Sequence, residues 1–424
     1  MAFRLQVVPG HEPPDLLDLP WSAPLCEWDH PRLIRMAQGV SRHVVRIVSD
    51  RERAYALKET AEDDARREYA MLRLIAAENL PVVEAVGLIT GRRTPGDEPL
   101  DAVLVTRYLD FSLPYRYLFG VEGGPYLGKR LVDAAVVLLV RIHSEGFYWG
   151  DCSLSNLLFR RDAGALMAYL VDAETTERRV PMSSGMREAD VELARENFAG
   201  GLLDLAAEGQ LSGDIDVISL ADLVEERYHL LWEELTGTLE INMADRHLID
   251  QRLRRLNDLG FDVDELIVEN EVDGSGGDRL RVTPALVEEG HHSRELRRLT
   301  GLEVQENQAR RLLNDITAFG AYLSRIEDRT IPQAVVAARW IAEVYEPIIE
   351  KVPPELRGRL EPPELFHQLL EHRYYLSEEI GHEVDNETAL LSFLESVLRF
   401  RREERVLLTD KGEETDRAEG PQRS

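Results

Sequence analysis

A lysine closes the β-rich run Ala56-Leu57-Lys58, and a carboxylate, Glu68, follows on the next helical stretch. An ammonium on a flexible stem can reach the α- and β-phosphates of a nucleotide, and a helix-borne carboxylate can hold it there. Farther along, Gly150-Asp151-Cys152-Ser153-Leu154-Ser155-Asn156 sets a carboxylate and a carboxamide five residues apart, in a loop after a long apolar helix. The carboxylate can take the proton of an attacking hydroxyl while the amide oxygen coordinates magnesium. Asp172 closes the strand Tyr169-Leu170-Val171, sixteen residues after Asn156, and Glu174 lies two further on. Hard oxygen ligands at a strand end suit magnesium that bridges phosphates. Taken singly, Lys58 reads as a solvated edge-strand charge, Asp151 and Asn156 as loop caps and Asp172 as a turn residue. Their joint order along the chain points to phosphoryl transfer.

These side chains need elements to position them. HVVRIV and AYALK flank the charged turn at residues 49–53, a hairpin signal. A helix over Ala61 to Glu78 follows, with Ala65, Tyr69, Leu72, Ile75 and Ala76 at helical spacing and Asn79 and Pro81 to stop it. Strands over Val82 to Ile89 and Ala102 to Tyr108, a helix from Leu127 to His143 and a second hairpin, LLF with MAYLVD, complete the pattern. Beyond Val180 the reading is mainly helical: Ala189 to Ala207, Val217 to Leu235, Arg246 to Leu259, Gln333 to Glu350, Pro363 to Ile380 and Ala389 to Glu404. One hairpin, near Glu265 to Glu269 and Arg279 to Val282, interrupts it. Thr300 and Glu303 have capping-box spacing ahead of the stripe Leu312, Ile316, Phe319 and Leu323.

On these residues, the stretch from about 38 to 235 resembles the protein-kinase-like superfamily. Its catalytic stretch is similar to the small-molecule branch, which includes aminoglycoside phosphotransferases and lipopolysaccharide kinases. The whole chain also resembles a group of uncharacterised bacterial proteins with an added helical C-terminal domain. The resemblance implies an α+β class: a bilobal kinase-like fold followed by a mainly α-helical domain. The expected divisions are an extended arm (1–31), an N-lobe (32–108), a C-lobe (109–235), an acidic helical domain with one β-hairpin (236–407) and a disordered tail (408–424). It further implies ATP and Mg2+ in the cleft, with Lys58 on the third strand, Glu68 behind it and Asp151 as base. Asn156, Asp172 and Glu174 would be on the metal, Gly39 and Ser41 over the phosphates, and Tyr108 and Leu109 in the hinge beside adenine.

The departures bear on the substrate. Of three glycines expected over the phosphates, Gly39-Val40-Ser41-Arg42-His43-Val44 keeps one. Trp149 and Gly150 replace the His and Arg of protein kinases, Ser153 replaces a lysine, and Ala173-Glu174 replaces Phe-Gly; no Ala-Pro-Glu follows Asp172. These changes favour a small-molecule or glycan-like hydroxyl acceptor over a protein. The alternative is a nucleotide-binding pseudokinase whose C-terminal domain binds a protein partner. Gly123-Gly124-Pro125-Tyr126-Leu127-Gly128-Lys129-Arg130 approaches a P-loop, but Arg130 replaces the magnesium-binding hydroxyl and no buried strand precedes it. His291-His292, His367 and His372 lack zinc-site spacing, and Cys152 reads as packing rather than nucleophile.

Composition bounds the rest. Of the net charge of −28, about −24 falls after residue 180, which argues against nucleic acid or an anionic membrane surface. Lysine occurs at positions 58, 129, 351 and 411 alone, so Lys58 stands where arginine would ordinarily serve. Two cysteines and no long apolar run lead to the expectation of a cytoplasmic protein without a membrane span.

Overall fold

The computed structural model describes residues 3–7, 14–34, 43–51, 53–122, 125–211, 215–236, 239–242, 265–272, 278–285, 290–382 and 384–405. The expected phosphate-loop residues Gly39 and Ser41, the Gly123-Gly124 turn, the helix expected over 246–259 and the tail over 408–424 lie outside the described residues.

An antiparallel sheet forms the first lobe, in the order β1 (Arg4–Val7), β5 (Ala85–Thr90), β6 (Ala102–Arg107), β4 (Arg53–Thr60), β3 (Val44–Asp50), β2 (Leu33–Ile34). The arm donates the edge strand β1. Counted from β2, Lys58 is on the third strand, and β4 is central, between β3 and β6. The period of two divides the faces: Val103 and Val105 point to one side, Ala102 and Leu104 to the other. Lys58 pairs with Leu104, which puts it on the inner face with helix α1 (Glu62–Ala77). The outer face is covered by Leu16, Leu19, Trp21, Leu25 and Trp28 of the arm. Buried Arg92 fastens that cover by donating to the Trp21 carbonyl at 3.1 Å, the Asp101 carbonyl at 2.9 Å and Glu59 at 2.6 Å.

The second lobe packs α3 (Pro125–Ser144), α4 (Ser184–Ala207) and α5 (Val217–Thr236) around the strands that carry the chemistry. Residues Tyr115–Glu122 form helix α2 ahead of α3, so no strand leads into the P-loop-like segment. A small sheet joins β7 (Leu113–Pro114), β9 (Leu157–Asp162) and β10 (Ala165–Leu170). Asp172 sits two residues past β10 instead of closing a strand. The sheet lobe with helix α1, followed by this helical lobe, gives a two-lobed α+β arrangement.

A further core, drawn from Leu296 to Leu398, belongs to the C-terminal helices: α6 (His291–Thr300), α7 (Glu306–Glu327), α8 (Gln333–Trp340), α9 (Pro362–Ile380) and α10 (Asn386–Ser396). The capping-box reading is wrong. Thr300 ends α6, with Gly301 in the left-handed conformation at φ +78° as its C-cap, and α7 begins at Glu306. The expected hairpin is present as β13 (Glu265–Val272) paired antiparallel with β14 (Asp278–Ala285), and a third strand, β12 (Leu239–Asn242), adds to the far side of β14. Four residues carry too little periodicity to mark β12 without its partner. α10 stops at Ser396, short of the expected Glu404. Among the described residues no helix is long and apolar enough to cross a membrane.

Candidate functional site

Helix α1 buries Ala65, Glu68, Tyr69, Leu72 and Ile75, so Glu68 sits within the apolar stripe, 1% exposed. A carboxylate there needs a partner. Lys58, projecting from the sheet face that α1 covers, supplies it: Nζ lies 3.0 Å from Glu68 Oε2, 2.7 Å from Asp172 Oδ2 and 3.5 Å from Glu174 Oε2. Residues from a strand, a helix and a loop 114 positions away in sequence thus meet at one ammonium. Burial would lower the Lys58 pKa, but Glu68 and Asp172 outweigh it and the net shift is upward. Burial, reinforced by Asp172, lifts Glu68 from 4.5 to about 7 despite Lys58.

The Glu68, Asp172 and Glu174 carboxylates have oxygens within 4.8 Å of one another. Hard oxygen donors carrying more negative charge than the neighbouring Lys58 neutralises are a donor set that fits magnesium. His43, which the sequence reading passed over, places Nε2 3.0 Å from Glu174 Oε2 and ties the exit of the glycine-poor segment to the Asp-x-Glu turn.

The catalytic-type loop is held from two sides. Asn156 Nδ2 donates to the Asp151 carbonyl at 3.0 Å and to Oδ2 at 3.1 Å, so its Oδ1 is the atom with lone pairs for a cation. The Val171 amide donates to the Asn156 carbonyl at 3.1 Å, coupling the stretch before Asp172 to the stretch after Asp151. Asn197 of α4 donates from Nδ2 to Asp151 Oδ1 at 3.1 Å. Each oxygen of Asp151 therefore receives one neutral amide, and a carboxamide supports the carboxylate where Ser153 has replaced the expected lysine.

Behind the loop, buried Asp190 accepts from the Trp149 amide at 2.7 Å, the Gly150 amide at 2.9 Å and His143 Nε2 at 3.0 Å; His143 Nδ1 meets the Tyr228 hydroxyl at 2.6 Å. Gly150 has φ +78°, and a Cβ there would stand 3.0 Å from the Thr175 carbonyl oxygen, so glycine is required by conformation and by space. Asp190 and Asn197 escaped the sequence reading, yet both were marked. They stand seven residues apart beside Val191, Ala194 and Phe198, polar groups at core spacing on an otherwise apolar helix face.

Tyr108 and Leu109 lie between β6 and β7, where the chain crosses from sheet lobe to helical lobe, and the Tyr108 amide donates to the Ala54 carbonyl at 2.9 Å. Cys152 is fully buried, and that burial raises its thiol well above the ordinary value, which removes it as a nucleophile. His292 contacts Glu306 at 2.8 Å, His367 contacts Glu371 at 3.2 Å and His372 contacts Ser392 at 2.9 Å, all protein partners.

A family model described as Domain of unknown function (DUF4032) matches residues 230–398. No curated protein matches the chain. A solved structure of WaaP in complex with acyl carrier protein is 16% identical, with a TM-score of 0.33, over 54% of this chain and 88% of its own. A crystal structure of an aminoglycoside-3'-phosphotransferase of type VIII is 14% identical, with a TM-score of 0.28, over 46% and 93% respectively. At such identities and scores, neither likeness bears on the chemistry.

Proposed function

We propose that this chain is an ATP- and magnesium-dependent phosphotransferase acting on a hydroxyl of a small-molecule or glycan-like acceptor. The observation that carries the reading is the convergence of Glu68, Asp172 and Glu174 on Lys58 Nζ. Lys58, held by Glu68, grips the α- and β-phosphates, and Tyr108 and Leu109 border the adenine. Asn156, Asp172 and Glu174 hold magnesium, which when bound neutralises charge on the transferring phosphoryl group. Asp151, oriented by Asn156 and Asn197, accepts the hydroxyl proton as the acceptor oxygen bonds to the γ-phosphorus and ADP departs. Gly39 and Ser41 belong to the phosphate cover in this reading.

A second reading is a nucleotide-binding pseudokinase with a protein partner on the C-terminal helices; it is favoured by the segment from Gly39 to Val44, which keeps one of the three glycines expected over the phosphates.

Thermal unfolding with ATP, magnesium, both or neither tests the proposal on wild type and Asp172→Asn, with released ADP measured in the same samples. Ligand at one hundred times its dissociation constant stabilises by about 2.7 kcal/mol. The expected result is a magnesium-dependent shift in wild type that Asp172→Asn loses, with slow ADP release as water takes the γ-phosphoryl group in place of the acceptor. A shift without ADP release favours the pseudokinase, and no shift in wild type overturns both readings.

A further inference from the structure

Strand β9 begins immediately after Asn156 and β10 ends two residues before Asp172, so one hairpin carries both residues at its root. Its tip, about 20 Å away at 3.3 Å per residue, lies among the C-terminal helices. There the charged sequence Arg160-Arg161-Asp162 would ordinarily be a solvated turn. Instead Arg161 and Asp162 are 8% and 4% exposed.

Every one of those charges meets a group from the C-terminal helices or the segment just after them. Asp162 accepts from the Gln308 amide at 2.8 Å, the Asn307 amide at 3.3 Å and Asn307 Nδ2 at 3.1 Å, at the N-terminus of α7. Glu364 of α9, 1% exposed, accepts from the Ala163 amide at 2.9 Å and from Gln308 Nε2 at 2.9 Å. Gln308 Nε2 also donates to the Arg161 carbonyl at 3.0 Å. Arg160 pairs with Glu361, and Arg161 with Glu404 at 2.8 Å. Such bonds are directional, and buried charges are held at a definite place only while each partner stays in position. Apolar contact alone would let the tip slide; this network fixes it in three dimensions. At the root, the strands pass that placement on through the Val171 amide bond to Asn156 and the Leu170 amide bond to the Pro81 carbonyl at 3.0 Å.

Resting on the phosphotransferase reading, we propose that Asp162 and Glu364 are positioning residues for Asn156 and Asp172, through which the C-terminal helices set the magnesium site from the far end of the hairpin. The C-terminal helices then serve the cleft in cis. Asp162 and Glu364 touch no reacting atom and act only through the hairpin.

The test titrates magnesium chloride at saturating ATP in the full chain and reads the unfolding temperature, for wild type, Asp162→Asn, Glu364→Gln and Leu390→Ala. Leu390 is buried in the C-terminal core and serves as the control for lost stability. Residues that act on a distant site through packed elements change its affinity by roughly 2- to 30-fold. The half-saturating magnesium concentration should therefore rise about tenfold in Asp162→Asn and Glu364→Gln. Leu390→Ala should lower the melting temperature at an unchanged half-saturation. Hydrogen exchange at the Val171 amide should speed up in the first two variants and not in the third. If Asp162→Asn does not fold, Gln308→Ala, which removes a neutral member of the same network, replaces it in the comparison. Wild-type half-saturation in the hairpin variants, or an equal rise in Leu390→Ala, overturns the inference and leaves the phosphotransferase reading standing. A wild type with no magnesium-dependent shift overturns that reading and this inference with it.

Discussion

In the cleft, Glu68, Asp172 and Glu174 share the ammonium of Lys58 and Glu174 also meets the imidazole of His43, whereas at the hairpin tip Arg160 meets Glu361, Arg161 meets Glu404 and Asp162 meets the amides of α7. Both regions bury ionisable groups. Burial lifts Glu68 to about 7, Asp162 to about 6 in spite of the amides it accepts from, and Glu361 to about 7 in spite of Arg160. What differs is the balance of partners. The tip pairs each arginine with a carboxylate and surrounds Asp162 and Glu364 with neutral amide donors, and it reads as a permanent joint. The cleft gathers three carboxylates around one ammonium, so its negative charge is only partly balanced.

Breaking the cleft chemistry should produce the largest effect. Asp151→Asn removes the base of the proposed reaction and should cut ADP formation on a competent acceptor by about 10²- to 10⁴-fold, measured as initial rates. Turnover within a few-fold of wild type would mean that the loop is only structural. At the tip, Glu404→Ala removes the carboxylate that stands 2.8 Å from the Arg161 guanidinium. Chemical denaturation should register a loss of about 3–5 kcal/mol, the cost of splitting a buried pair; a loss under about 1 kcal/mol would make the joint ornamental.

The pH dependence sharpens the contrast further. With its folded pKa near 7 against an ordinary 4.5, Glu68 keeps its proton in the native state after the unfolded chain has released it. Stability of the ligand-free protein should therefore fall as pH rises from about 5 to about 7. Asp162 and Glu361 act in the same direction. Glu68→Gln should flatten part of that slope in melting curves taken across the range, and an unchanged slope would assign it to the tip alone. The smallest effect is expected from His43→Gln. Its pair with Glu174 is partly exposed, 25% and 29% by side chain, and should contribute less than about 1 kcal/mol. A larger loss would make His43 the standing counter-charge of Glu174 and weaken the case for a cation there.

Much of this was legible along the chain because the signals are local. The two-residue alternation of β6 separates the sheet faces, the stripe of α1 places Glu68 inward, and the Asp151-to-Asn156 spacing fits one turn of loop. Asp190 and Asn197 could have been found by the same periodicity, as polar residues on a buried stripe. The α6–α7 junction was misread because a threonine followed by a glutamate looks alike at a helix start and past a helix end, and it is the left-handed Gly301 that decides.

Residue types and their order singled out Lys58, Glu68, Asp151, Asn156 and Asp172 as candidates and determined the α+β class and the acidic C-terminal half. Only the tertiary structure decided that Lys58 is shared among three carboxylates, that a carboxamide from α4 supports Asp151, and that Arg160-Arg161-Asp162 is a buried joint. The reason is physical: periodicity reports which face of an element is buried. A charge's partner is chosen by how the elements pack, and here Asp162 finds its partners 145 and 146 residues away.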